Sequence, residues 1–271
     1  NKIWNACRFV ISALENAPAK AEAEPEWTLA DSWIWARLKN LLRDSDRLFS
    51  SYQYGEAGRQ IYEFFWGDFA DWYLEIAKVQ LADGGDRAYY TATTLVRVMD
   101  ACLRLLHPFT PFLTEELWQH LKAAAVEKGY KPFLSRRAWE DALIVAAWPE
   151  AGAPEGWENE AINEFSLIQD AVRAIRNLRA EKKIDPKKKL TALIAAGSRI
   201  DILRGQCAVL ASLANLDKGK SKLTRTAKAD PSTYASIVVS GMEIFLALSD
   251  LADETHDKDR LQKDLEEVNS Q

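Results

Sequence analysis

Lys2, Asn5 and Phe9 fall on one stripe of an N-terminal helix, about 135° from the apolar stripe of Ile3, Cys7, Val10 and Leu14 at roughly 100° per residue. An aromatic ring flanked by an amine and an amide is the chemistry that receives an unstacked base: the ring stacks, and the polar groups read its edge. A second helix packed on the same face would ask for the same Phe, and both readings stay open at this point. The pattern repeats further on. Phe65, Phe69, Trp72, Ile76 and Val79 cluster on one face of a helix, while Phe64, Gly67, Asp71, Leu74 and Lys78 fall roughly opposite. Gly67 in mid-helix costs on the order of 1 kcal/mol relative to Ala, so it marks a close approach by a neighbouring helix or by a ligand. Two such mixed faces can form one groove.

Chemistry that breaks bonds has few candidates. The chain holds three His (His107, His120, His256), no Gly-rich phosphate loop, no GxSxG and no HExxH. Cys7, Cys102 and Cys207 are odd in number and in no CxxC or Cys/His ligand spacing, which speaks against a disulfide framework or zinc. No catalytic residue, metal ligand or cofactor site is assigned, and His107 before Pro108 reads as a helix-end cap.

The formal net charge of −5 excludes an indiscriminate nucleic-acid binder, because phosphate contacts need cationic surface. Between Arg173 and Lys189, however, eight basic residues face only Glu181 and Asp185. Within this run Arg173, Arg176, Lys182, Lys183, Lys187 and Lys188 are candidates for contacts to a nucleic-acid backbone, and a solvated helix end is the other reading.

The elements that must position these residues are mostly helical. Helices are expected over residues 2–15, from a Thr28/Asp31 capping box to Phe49, from Glu56 to Ala82 after a break at Tyr54-Gly55, from an Asp86 cap to Pro108, and from Thr114 to Gly129. Short turns between them describe an antiparallel bundle over 1–150. Leu143–Val145 reads as extended, and a loop rich in Gly, Pro and acidic residues leads to a long helix from Glu158 to Lys183, stopped at Ile184-Asp185-Pro186. Strands over 189–195, 221–226, 236–239 and 242–248, with a helix over 200–214, give residues 151–252 a small α+β subdomain after the long helix. From Asp253, Leu261, Leu265 and Val268 keep a four-then-three spacing, so 253–271 reads as the start of a coiled coil. The fold class is therefore mainly α, a helical bundle followed by a small α+β part. With 48% hydrophobic residues the chain can bury a full core, and it has neither a secretory leader nor about 18 consecutive apolar residues. A soluble, monomeric, cytoplasmic protein is expected. Its opening at Asn1, directly in an amphipathic pattern, suits a part of a longer polypeptide.

The strings Asn1-Lys2-Ile3-Trp4-Asn5-Ala6-Cys7-Arg8-Phe9-Val10, Phe64-Phe65-Trp66-Gly67-Asp68-Phe69-Ala70-Asp71-Trp72-Tyr73-Leu74-Glu75, His107-Pro108-Phe109-Thr110-Pro111-Phe112-Leu113-Thr114-Glu115-Glu116-Leu117-Trp118 and Ile175-Arg176-Asn177-Leu178-Arg179-Ala180-Glu181 resemble, in this order, the anticodon-binding region of valyl-tRNA synthetases. Leucyl and isoleucyl enzymes carry versions of the third string, whereas Asp71-Trp72-Tyr73-Leu74-Glu75 points to the valyl branch. The resemblance implies a bundle that holds the anticodon of a valine tRNA, with Phe9 and Leu74 against bases and Lys2 close by. It also implies that ATP binding, aminoacylation and editing belong to domains upstream of Asn1, and that a coiled-coil arm follows. The alternatives are the same region of an isoleucyl or leucyl enzyme, or a helical protein-interaction scaffold.

Overall fold

Thr28 and Asp31 form the expected capping box: the Asp31 amide donates to Thr28 Oγ1 at 3.1 Å and the Thr28 amide to Asp31 Oδ2 at 3.2 Å. They open α2 (Leu29–Ser50). The computed structural model describes residues 1–23, 27–133 and 138–251. It divides into two units, Asn1–Phe165 and Ser166–Gln271. The chain is mainly helical with one small sheet, as the sequence predicts. The expected coiled-coil start at 253–271 lies outside the described residues.

In the first unit, α1 (Lys2–Asn16) buries Ile3, Cys7, Val10 and Leu14, the predicted stripe, together with Ala6 and Ala13. The helix expected over Glu56–Ala82 is three segments: α3 (Tyr54–Glu63), a π-helical stretch (Phe64–Tyr73) and α4 (Leu74–Ala82). The break before it falls two residues earlier than Tyr54-Gly55, at Tyr52, whose φ of 59° turns the chain. Gly84, at φ 70°, rather than Asp86, caps α5 (Gly85–Leu106). The Asp86 carboxylate instead accepts the amides of Glu22 and Ala23, at 2.9 and 3.0 Å. α6 (Pro111–Lys128) begins three residues before the expected Thr114, because Pro at the first helical position has its φ preset and no amide to leave unpaired. Thr114 Oγ1 meets His107 Nδ1 at 2.8 Å, which ties the end of α5 to the first turn of α6. Leu143–Val145, expected extended, is a 3₁₀ turn that buries Leu143 and leaves Ile144 and Val145 exposed.

The core of this unit centres on Trp33, Phe65, Phe69, Tyr73, Trp118 and Phe165, with Trp33 stacked on Phe165 at 4.4 Å between centroids. Of the carboxylates buried in this unit, Asp31 and Asp100 each accept from three donors. Asp31 accepts from Tyr73 Oη and Arg87 Nη1, both at 2.7 Å, besides capping α2. Asp100 accepts from Trp118 Nε1 at 2.6 Å, the Phe133 amide at 2.8 Å and Arg104 Nε at 2.9 Å. Such pairs fix how helices register on one another, since removing one partner strands the other charge at a cost of about 3–5 kcal/mol.

α7 (Trp157–Glu181) starts in the first unit and continues in the second. It ends two residues short of Lys183, which adopts φ 50° and lets the Ile184 amide close back on Arg179 O at 3.0 Å. The sheet has the order β2-β1-β4-β3, from β1 (Ala192–Ala195), β2 (Lys222–Thr224), β3 (Tyr234–Val239) and β4 (Met242–Ala247). β1 and β2 are parallel, joined through α8 (Ile200–Arg204) and α9 (Cys207–Leu213). Gly205 and Gln206 split what the sequence suggests is one helix over 200–214. β3 and β4 make a hairpin around Ser240 and Gly241, both at positive φ, as a tight two-residue turn requires.

Candidate nucleic-acid interface

The first turn of α1 faces the π-helical stretch. Lys2 Nζ donates to Asp71 Oδ1 at 2.6 Å and to the carbonyl of Trp66 at 3.4 Å, and Asn5 lies exposed one turn further along α1. Next along α1, the half-buried Phe9 ring lies 5.8 Å from Lys78 Nζ of α4, and Lys78 also pairs with Glu75 at 2.6 Å. Together Phe9, Ser12, Asn16, Lys78 and Leu81 line an open groove of about 290 Å³, floored by Ala13, Ala17 and Ala88. The small floor residues let the groove exist between α1, α4 and the start of α5. An apolar ring is thus presented beside a cation, an anion and two amide or hydroxyl groups, a set that suits a planar base with polar edges.

Of the predicted set, Lys2, Asn5, Phe9, Asp71 and Lys78 are brought to this side of the bundle with side chains accessible to varying degrees. Phe64 and Leu74 are not. They are 3% and 7% exposed, so the expectation of an outward face for them is corrected: both belong to the core as it stands here. The reason is the π turn. Hydrogen bonds from i to i+5 advance each residue by less than the 100° the helical wheel assumes, so phase slips across Phe64–Tyr73 and Leu74, just past it, turns inward, while Phe64, one step from Phe65 at the start of the stretch, is buried on the flank of the core face. Gly67 is resolved in the other direction. A Cβ built there meets no atom of the described residues within 4 Å beyond its own stretch of helix, so no described neighbouring helix explains it, and the backbone beside Asp71 is open to approach from outside.

Sequence reasoning missed Glu75, Ser12, Asn16 and the Tyr62–Trp66 pair. Signals for them existed: Glu75 and Lys78 stand at i,i+3, and Phe9, Ser12, Ala13 and Asn16 at i, i+3, i+4 and i+7. Tyr62 and Trp66, four residues apart, stack at 4.1 Å alongside the Lys2 contact.

The basic run lies in the second unit and has two characters. Arg179 is buried and is structural: its Nη2 donates to the carbonyls of Asp185, Pro186 and Lys188, at 2.9, 3.2 and 2.9 Å, clamping the turn after α7. Burial also draws its guanidinium below its ordinary pKa. Arg176 is exposed in part but anchored, Nε donating to Leu213 O at 3.0 Å, and Arg173 stands 3.6 Å from Asp170. Lys182, Lys183 and Lys187 are exposed and Lys188 half-buried on the turn that Arg179 shapes.

Residues 31–194 match the family described as the anticodon-binding domain of tRNA ligase. Among curated proteins, the chain is 38% identical over 274 residues to a valine–tRNA ligase of Symbiobacterium thermophilum, an alignment covering 98% of this chain and 30% of that protein. It is 33% identical over 271 residues to a valine–tRNA ligase of Dehalococcoides mccartyi, covering 100% of this chain and 29% of that protein. For a valine–tRNA ligase of Bacillus cereus the values are 34% over 275 residues, 97% and 28%. The chain thus spans about 30% of the length of these relatives.

Proposed function

The chain belongs to the family of tRNA-ligase anticodon-binding domains, matching a portion of valine–tRNA ligases, and from that premise we propose that its first unit grips a valine tRNA at the anticodon for a catalytic domain elsewhere in the same polypeptide. The observation that carries this reading is the groove in which Phe9 of α1 meets Lys78 of α4, with the accessible Lys2–Asp71 pair joining the first turn of α1 to the π-helical stretch. An anticodon base splayed out of its loop stacks on Phe9 next to Lys78. Lys2, Asn5 and Asp71 offer the donor and acceptor groups that distinguish base edges, and open backbone at Gly67 admits the ribose-phosphate. Phe64 and Leu74 shape this wall from behind. The family-implied contact of Leu74 with a base would need a bound state in which the wall opens.

Lys182, Lys183, Lys187 and Lys188, with Arg173 and Arg176, supply sequence-independent attraction for phosphate. Activation of valine with ATP belongs to the whole ligase, and this chain by itself is proposed to be catalytically silent, without cofactor, monomeric and cytoplasmic. No helix among the described residues is long and apolar enough to cross a membrane. The deciding experiment is a titration against valine tRNA and an anticodon-swapped variant at two salt concentrations. Preference for the valine anticodon supports the reading. Equal, salt-insensitive binding, or none, favours the protein-interaction scaffold.

A further inference from the structure

A second concavity of the first unit, about 460 Å³, lies between α2, α5 and the start of α7 and is lined by Trp27, Ser32, Trp35, Lys39, Arg97 and Trp157. Two of its donors are orphans: Arg97 Nε and Trp35 Nε1 are shielded from solvent and meet no acceptor among the described residues. Leaving such donors unmatched costs about 1–3 kcal/mol each, more when charged, so a concavity with two of them on its lining residues suits an acceptor from outside. Burial already holds the Arg97 guanidinium below its ordinary pKa. The walls are indoles, with Trp27 more than half exposed.

The charges decide which acceptor fits. Lys39 is neutralised by Glu155 and Glu158 and caps the Trp157 ring at 5.1 Å, so the rim carries carboxylates, and of the two cations lining the concavity Arg97 is the one with no ion pair among the described residues. A phosphodiester chain would meet those carboxylates, whereas a single carboxylate matches the single guanidinium. Position agrees. Arg97 stands nine residues beyond Ala88 on α5, about 180° around the helix from the groove floor, so RNA held in the groove is on the other face. We propose that this socket receives one Asp or Glu carboxylate on an apolar segment of the ligase polypeptide outside this chain, docking it onto the bundle. The inference rests on the chain's being part of a longer valine–tRNA ligase, whose relatives are more than three times its length.

The test uses a full-length valine–tRNA ligase containing this sequence, with Trp27→p-benzoylphenylalanine as a photo-cross-linking probe. Cross-linked peptides mapped by mass spectrometry should join residue 27 to an acidic segment outside residues 1–271. Adding Arg97→Gln, or Trp35→Phe, which keeps the ring beside Phe133 and removes only the N–H, should lower the yield of that cross-link roughly tenfold. Cross-links confined to this chain, or unchanged by both substitutions, overturn the proposal. Cross-links formed to added valine tRNA overturn it in favour of an RNA site. Affinity for the valine anticodon stem-loop, measured on the same proteins, reads the groove separately, and its loss in wild type would sink the proposed function without touching the socket.

Discussion

Lys2 and Asp71, 69 residues apart in sequence, meet at 2.6 Å and join the first turn of α1 to the π-helical stretch. Both side chains remain accessible, at 36% and 61%. An exposed pair of this kind is worth about 0–1 kcal/mol to stability, so it matters more for what it presents than for what it holds together. Lys2→Ala should leave the melting temperature within a degree or two of wild type, by that same argument, while weakening binding of valine tRNA. Asp71→Asn should release the amine, raise affinity for anticodon-swapped RNA as well, and narrow the ratio between the two. An unchanged ratio in both variants would remove the pair from recognition.

Phe9 and Phe69 separate stacking from core packing. Phe69 is fully buried, and Phe69→Ala should cost about 3–5 kcal/mol of stability. Phe9 is half-buried against the groove, so Phe9→Ala should melt closer to wild type yet lose about 1–3 kcal/mol of tRNA binding, the value of a base–aromatic stack. Leu74→Ala now belongs with Phe69: at 7% exposure it should cost about 2–5 kcal/mol of stability. Thermal unfolding and RNA titration of the three variants check this together. A Phe9→Ala protein that unfolds as early as Phe69→Ala but binds normally when folded would make Phe9 a core residue.

How far the sequence foresaw this depends on whether an element is decided locally. The α1 stripe and the Thr28–Asp31 box were readable because neighbours within four residues determine them. Leu74 was misplaced because the π turn arises from packing Phe64, Phe65, Phe69 and Tyr73 into one core, which no fixed wheel angle anticipates. In the basic run, Arg179 looked like its neighbours. Only the fold shows that it faces inward to three carbonyls, since i,i+3 spacing does not say where the chain after Pro186 returns.

That distinction within the basic run is measurable. Charge reversal of Lys182 and Lys183 should weaken binding of all tRNAs alike and flatten the salt dependence by roughly one to two units of slope, with no change in melting. Arg179→Ala should instead destabilise the second unit, because three carbonyls lose their donor. Reversal of the lysines without any change of slope would assign them to a solvated surface.

The three thiols report on the two units independently. Cys7 and Cys102 are buried in the first, and burial pushes the Cys7 thiol up to about 12 and that of Cys102 higher still; Cys207, in the second, is exposed. Only thiolate reacts readily with a disulfide reagent, so the native protein at pH 8 should show one accessible thiol, absent in Cys207→Ser, and three in denaturant. Burial raises Cys207 as well, so its reaction should be slower than that of a free thiol. Two or three fast thiols in the native protein would mean that α1 and α5 do not pack as described.

Gly67 gives the sharpest contrast between folding and binding. A methyl group there meets no atom of the described residues within 4 Å beyond its own stretch of helix, and replacing a mid-helix Gly by Ala gains up to about 1 kcal/mol of helix propensity, less in a π turn. Gly67→Ala should therefore fold at least as stably as wild type. If RNA approaches the backbone beside Asp71, the same methyl group intrudes on it, and affinity for valine tRNA should fall several-fold, more steeply for Gly67→Val. Thermal melts paired with titrations read both effects at once. A stabilised Gly67→Ala and Gly67→Val series with undiminished tRNA affinity would show that no ligand reaches this backbone, and would move the binding surface away from the π-helical stretch.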